Sequence, residues 1–259
     1  MIHPTAVLDP RAEIDPAAEI GPYVVIDGPV RIGAGTRLMS HVVVLGATVL
    51  GRDNRIHPGA VIGDEPQDRA YDGAETRVRL GDRNIVREHV QIHRATGVGS
   101  ETVLGDDNHL MASAHVAHNC RIGNQVTIAN GTMLGGHVEI AGSVFLGGNC
   151  AIHQHVRIGR HAFMRGGSRA DKDVPPFSMI DELNVVRGMN RVGLRRAGFT
   201  ADQVAALHRA FRILFGRRRN LSQAIAEVAA DADPSAEVAE LLDFLKNSKR
   251  GVCSGRGEV

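Results

Sequence analysis

The sequence predicts a mainly β fold, a left-handed parallel β-helix wound as a hexapeptide solenoid and followed by a small C-terminal α-helical domain. Three observations carry this. First, an aliphatic side chain recurs every sixth residue at Ile2, Leu8, Ile14, Ile20, Ile26, Ile32, Leu38, Val44, Leu50, Ile56 and Ile62, resumes at Leu80, Val86, Ile92, Val98 and Leu104, and runs on through Leu110, Ile122, Leu134 and Ile152 to Met164. Asp68 and Ala74 break the series without shifting its phase. Second, small or β-branched residues stand four positions further on, among them Ala6, Ala12, Ala18, Val24, Thr36, Ala60, Thr102, Ala114, Cys120, Thr132, Cys150 and Ala162, so two side chains of every six face an interior. Third, the 259 residues include no Trp, only 3% aromatics and 30 Gly, which suits a narrow prism turned at glycines rather than a large globular core.

Three hexads close one turn of a triangular prism. Residues about 18 apart therefore stack above one another at roughly the 4.8 Å strand spacing, and distances along the chain become columns on a face. The prism is expected over residues 1–173. Between Gly63 and Arg79 the polar content (Asp64, Glu65, Gln67, Asp68, Arg69, Asp72, Glu75) is unfit for an apolar interior, and a loop should leave the prism there. Val174-Pro175-Pro176 is expected to end the repeat, because proline supplies no ladder donor.

Residues 174–259 read as a linker and helical domain. Thr200 and Gln203 form a capping box ahead of Val204, Leu207, Phe211, Leu214 and Phe215. A second helix carries Leu221, Ile225 and Val228, and a third, opened by Asp233-Pro234, carries Val238, Leu241, Leu242 and Leu245. From about Lys249 the chain should fray.

The three cysteines are odd in number, and Cys120 and Cys150 fall on the small inward row, which points to buried reduced thiols and a reducing compartment. No apolar run is long enough for a membrane span and the repeat begins without a secretory leader, so a cytoplasmic protein is expected. The net charge is only +1, yet basic residues crowd the later chain (Arg165, Arg169, Lys172, Arg187, Arg191, Arg195, Arg196, Arg209, Arg212, Arg217, Arg218, Arg219), either a basic field suited to an acidic partner or a solvated surface.

None of the 13 histidines falls on an inward row, so all are expected outside. Eighteen-residue spacing puts His118, Gly136 and Gln154 in one column, with His115, His137 and His153 beside it. An imidazole can take a proton from a sugar hydroxyl near neutral pH, and a glycine lets an acyl carbonyl approach a backbone N–H that stabilises its oxyanion. Uncommitted surface histidines, or a metal site shared between subunits, are the alternatives that spacing leaves open.

Several stretches taken together resemble a known family: Ser40-His41-Val42-Val43-Val44, Gly81-Asp82-Arg83-Asn84 leading to Ile92-His93-Arg94, Ala114-His115-Val116-Ala117-His118-Asn119-Cys120, Gly136-His137-Val138, Ile152-His153-Gln154, Asp173-Val174-Pro175-Pro176-Phe177, and Gly193-Leu194-Arg195-Arg196 before Gly198-Phe199. Their order resembles the acyl-ACP:UDP-N-acetylglucosamine O-acyltransferases of lipid A biosynthesis. The resemblance implies a homotrimer that moves a 3-hydroxyacyl or similar fatty acyl group from acyl carrier protein to the 3-hydroxyl of UDP-N-acetylglucosamine. The donor would be a 4′-phosphopantetheine thioester, with no bound cofactor or metal and no nucleic-acid partner.

It further implies His118 as general base and Gly136 as oxyanion donor. His115, His137, His153 and Gln154 would line a cleft between subunits, Asp68 would contact the sugar, Asn190 and Arg196 would lie near the nucleotide, and Gly148 and Gly166 would line the acyl channel. Ala70 stands where the family commonly has Lys, Val192 where it has Glu, Ala197 where it has Arg and Asn119 where Asp is frequent. These departures surround the acceptor and leave a related UDP-sugar, such as a 3-amino one, as an alternative substrate.

Overall fold

The computed structural model describes residues 1–216, 220–230 and 234–255. Short parallel strands stack into three sheets, one per prism face, and the chain visits the faces in strict rotation. We number the faces in the order the chain meets them. On face one His115, Met133, Ala151 and Arg169 lie in register on the outer side, with Val116, Leu134, Ile152 and Ala170 inward. Face two carries Arg121, Glu139 and Arg157, and face three Thr127, Phe145 and Phe163. Outward side chains alternate with the buried aliphatic row at the pleat period. Burial of that row and of its small partners makes one continuous core down the prism axis.

The corners have one recipe. From Val116 to Met164 the third residue after each inward aliphatic takes a left-handed backbone: Asn119, His137 and His155 where face one meets face two, Gln125, Ser143 and His161 where face two meets face three, Gly131, Asn149 and Gly167 where face three returns to face one. Five histidines, His41, His89, His137, His155 and His161, occupy such corners.

Two coils exceed the standard length. Leu50 pairs with Leu80, 30 residues on, and Leu80 with Leu104, 24 residues on, where 18 is the rule. The first excess leaves the prism between Asp64 and Arg77; the strand Arg77–Leu80 has already rejoined the ladder, so the excursion is shorter than its polar content suggested. The second, after His93, adds one whole hexad and so leaves the phase of the repeat unchanged. Val98, on the aliphatic series by count, sits in it 86% exposed.

Not every histidine lies outside. His93 is only 5% exposed, roofed by the first excursion, and its Nδ1 donates to the Glu65 carbonyl at 2.6 Å. The inward row also holds three asparagines, Asn54, Asn84 and Asn108, whose side chains form a ladder: Asn54 Oδ1 accepts from the Asn84 amides, Asn84 Oδ1 from the Asn108 backbone and Asn108 Oδ1 from the Val126 backbone. Buried polar side chains so paired satisfy amides at the widened coils.

The proline pair does not end the stacking. Val174 bridges Ile158 and is fully buried, Pro176 closes over Gly159 at a corner that needs no ladder donor, and Ser178–Asp181 adds a further parallel strand to face three before the antiparallel strand Val185–Met189. Among the described residues four helices follow: α1 (Arg191–Arg196), α2 (Ala201–Leu214), α3 (Leu221–Ala229) and α4 (Ala236–Lys246). The Thr200–Gln203 capping box opens α2, while α4 is capped by Ser235 rather than the expected Asp233-Pro234; Asp233 lies outside the described residues. From Lys249 to Gly255 the chain is anchored, not frayed, and the residues after Gly255 lie outside the described residues. Val252 bridges the buried Asp173, and Ser254–Gly255 pairs with Val185–Met189. All three cysteines are free and buried, and burial pushes the Cys120 thiol up to about 12.

Candidate active site

The corner between faces one and two brings His118, Gly136 and Gln154 into one column. Gly136 lies directly beneath the imidazole: a Cβ built there would stand 2.4 Å from His118 Nε2, so glycine is what lets the ring occupy this position. No hydrogen bond among the described residues uses the Gly136 amide, whereas the neighbouring Gly135 and His137 amides donate to Ile152 and His118 carbonyls.

Both long coils converge on His118, whose side chain is only 12% exposed. The second excursion supplies Thr96, whose backbone N–H and hydroxyl both donate to Asn119 Oδ1 at 2.9 Å, while Asn119 Nδ2 donates to the Thr96 carbonyl. That fixes the orientation of the amide. Its oxygen, a pure acceptor, lies 2.9 Å from His118 Nδ1, so Nδ1 carries the proton and Nε2 is left with a free lone pair. The first excursion supplies Asp68, whose Oδ2 lies 3.7 Å from Nε2 while its Oδ1 accepts from the Ala70 backbone.

A row of rings surrounds the base. His137 meets His118 edge to face at 5.2 Å between centroids and stacks on His155 at 4.6 Å. Desolvation, reinforced by the neighbouring His155 and His118, holds His137 below the usual histidine range. His115 faces the tilted His93 ring at 5.0 Å and is likewise lowered, first by burial and then by His93. An open cleft runs from His118 across face one, lined by Gln67, His115, Met133, Gly136, Ala151 and Gln154. His153 is exposed at its rim, with Nδ1 3.2 Å from Arg250 Nη2 on the C-terminal segment.

Four expected site residues lie elsewhere in the protomer. Asn190 caps α1, accepting from the Gly193 amide, and donates to the His161 carbonyl at the corner between faces two and three; Arg196 is exposed on the same helix. Gly148 and Gly166 stack at the third corner, where a Cβ on Gly166 would come 3.2 Å from the Gly148 carbonyl. Gln67 was expected in the loop but not at the site, and Thr96 was missed altogether because its excursion adds one whole hexad and keeps the phase of the repeat. Of the basic residues, Arg217, Arg218 and Arg219 lie outside the described residues.

A family model described as UDP-N-acetylglucosamine O-acyltransferase, domain 2, matches residues 173–253, and the bacterial transferase hexapeptide model matches residues 29–64 and 101–136. The acyl-[acyl-carrier-protein]–UDP-N-acetylglucosamine O-acyltransferase of Syntrophobacter fumaroxidans is 43% identical over 97% of this chain and 98% of its own length, and that of Thermodesulfovibrio yellowstonii is 44% identical over 97% and 98%. The chain belongs to this acyltransferase family. Solved structures agree. The UDP-N-acetylglucosamine acyltransferase of Francisella novicida superposes with a TM-score of 0.94 at 35% identity, covering 99% of this chain and 95% of the other, and that of Bacteroides fragilis gives 0.94 at 37% identity over 97% and 99%. Ala70 lies exposed two residues beyond Asp68, and Val192 and Ala197 lie exposed on and just after α1, so all three present uncharged surface.

Proposed function

We propose that the cleft at the corner between faces one and two is the acyl-transfer site, and that a neighbouring subunit of a homotrimer completes it. The enzyme is an acyl-ACP-dependent UDP-N-acetylglucosamine O-acyltransferase, catalysing the first step of lipid A biosynthesis. The observation that carries the site assignment is the tautomer of His118: Asn119 holds Nδ1–H and leaves the Nε2 lone pair facing the cleft beside Asp68.

In this reading Nε2 takes the proton of the glucosamine 3-hydroxyl as its oxygen attacks the thioester carbonyl. The Gly136 amide stabilises the tetrahedral oxyanion, the C–S bond breaks, and the imidazolium returns the proton to the pantetheine thiolate. Asp68 sits where it can accept from a sugar hydroxyl, and Gln67, His115, His137, His153 and Gln154 wall the cleft. Asn190, bonded to the corner between faces two and three, and Arg196 on the same α1, with Gly148 and Gly166 at the third corner, lie where a neighbouring prism packed against face one can bring them to the same cleft; this split of one residue set over separate places in the protomer is what supports a trimer. Gly148 and Gly166 place no side chain in the way of an acyl chain, and the arginines of 187–212 offer an acidic carrier protein a basic approach. Three buried free thiols fit a cytoplasmic location. The same chain divides into a prism, 1–173, and a helical part, 174–259.

A 3-amino UDP-sugar is the second reading, favoured by the loss of charge at Ala70, Val192 and Ala197. Assaying a panel of acyl-ACPs against UDP-N-acetylglucosamine and its 3-amino analogue separates the two. Transfer to the 3-hydroxyl supports the first, transfer confined to the amine the second, and absence of transfer to either overturns the site assignment.

A further inference from the structure

The first excursion brings Gln67 and Asp68 over the base, yet of the segment 65–76 only Pro66 and Thr76 are buried. Few apolar contacts hold such a loop, so polar tethers decide its position. His93 holds the Glu65 carbonyl, and the other side-chain tethers from the prism converge on one residue. Arg94, 17% exposed, donates through Nη1 to the Gly63 carbonyl at 2.9 Å, through Nη2 to Glu65 Oε1 at 3.1 Å and through Nε to the Tyr71 hydroxyl at 3.1 Å, and its guanidinium lies over the Tyr71 ring at 5.5 Å. The Tyr71 hydroxyl in turn donates to the Ala74 carbonyl. Gln67 and Asp68 therefore lie between two points, Glu65 and Tyr71, that a single guanidinium grips. Two residues beyond Arg94, Thr96 grips Asn119 from the other side of the imidazole.

We propose that Arg94 is a positioning residue that locks the loop carrying Gln67 and Asp68 against the prism, and so holds the acceptor wall of the cleft in register with the His118 base. A planar fork with five donors suits three acceptors in one plane, which an ammonium group does not replace. The inference rests on the acyl-transfer reading for its effect on catalysis, but the locking itself is independent of it.

The test uses the full chain with Arg94→Met, Arg94→Lys and Tyr71→Phe, and two readouts. In steady-state transfer, Arg94→Met raises KM for the UDP-sugar about tenfold or more while KM for acyl-ACP stays within about twofold, because charged hydrogen bonds to one wall only are lost. Arg94→Lys falls between, and Tyr71→Phe shows a smaller rise. In limited proteolysis, trypsin cuts after Arg69 about tenfold faster in Arg94→Met than in wild type, since the freed loop becomes accessible. Should Arg94→Met fail to fold, Arg94→Lys and Tyr71→Phe carry both readouts. A folded Arg94→Met with unchanged acceptor KM and unchanged cleavage at Arg69 overturns the proposal. Absence of transfer by the wild type overturns the acyl-transfer reading instead, and the trypsin arm then decides the locking by itself.

Discussion

Two corners of the same prism, built on the same backbone, do different things. Where face two meets face three, Gln125, Ser143 and His161 take the left-handed conformation one above another, and the Ser143 hydroxyl merely bonds the Gln125 side chain. Where face one meets face two, Asn119, His137 and His155 take that same conformation. Here, however, two lengthened coils fold back over the column and bury a histidine between an amide and a carboxylate. The hexad supplies a generic ledge. The proposed chemistry lies where the coil departs from 18 residues, because there chain outside the prism delivers Asp68 and Thr96 to an outward side chain and its neighbour.

If that contrast is right, substitutions should weigh very differently at the two corners. The largest effect short of removing the base belongs to Gly136→Ala. Its Cβ would displace the imidazole lying 2.4 Å away and crowd the oxyanion position, and kcat should fall about 10²- to 10³-fold with the prism intact by circular dichroism. Asn119→Ala comes next. Without the oxygen that fixes Nδ1–H, the imidazole loses its tautomer and orientation, and kcat should drop about tenfold, as loss of positioning groups commonly does.

Smaller still, and in selectivity rather than rate, is Gly166→Met at the third corner. It should shift kcat/KM toward donors several carbons shorter and leave acceptor KM untouched, each displaced methylene being worth about 0.8 kcal/mol. An unchanged chain-length profile in the folded variant would make Gly166 only a turn residue.

The pH dependence of stability tests His137 itself, since His161 at the other corner is lowered by desolvation as well. His137 is held below the ordinary histidine value by desolvation, so the folded state favours its neutral form while the unfolded chain binds a proton near pH 6.5. Stability is then full above about 6.5 and lost as the pH falls through it. Tm measured from pH 7 to 5 should decline less steeply in His137→Asn, a residue that also tolerates the left-handed corner. Ser143→Ala, at the same level of the other corner, should alter neither that slope nor kcat.

How much of this was legible beforehand follows from the same contrast. The aliphatic series and its small partners specify the prism, its faces and the column His118–Gly136–Gln154, since a fixed period maps number onto space. The capping box of Thr200 and Gln203 likewise announced α2. What stayed hidden is what the period cannot encode. An excursion of one whole hexad keeps the phase, so Val98 counted as core while standing in solvent, and Thr96 was invisible as a partner of Asn119. The buried His93 looked exposed because its roof is a distant loop. The asparagine ladder of Asn54, Asn84 and Asn108 replaced the small inward row where the coils widen. Over Val252–Gly255, pairing to Asp173 and to Val185–Met189 overrode a composition that suggested fraying.

The central claim is that His118, positioned by both excursions, is the base of acyl transfer. Replacing it with alanine removes an outward side chain and no core volume, so the folded assembly should survive. With saturating acyl-ACP and UDP-sugar, kcat of His118→Ala should fall by about 10² to 10⁴. Retention of more than about a tenth of wild-type kcat by a folded His118→Ala enzyme would contradict the account, since a general base contributes far more than that.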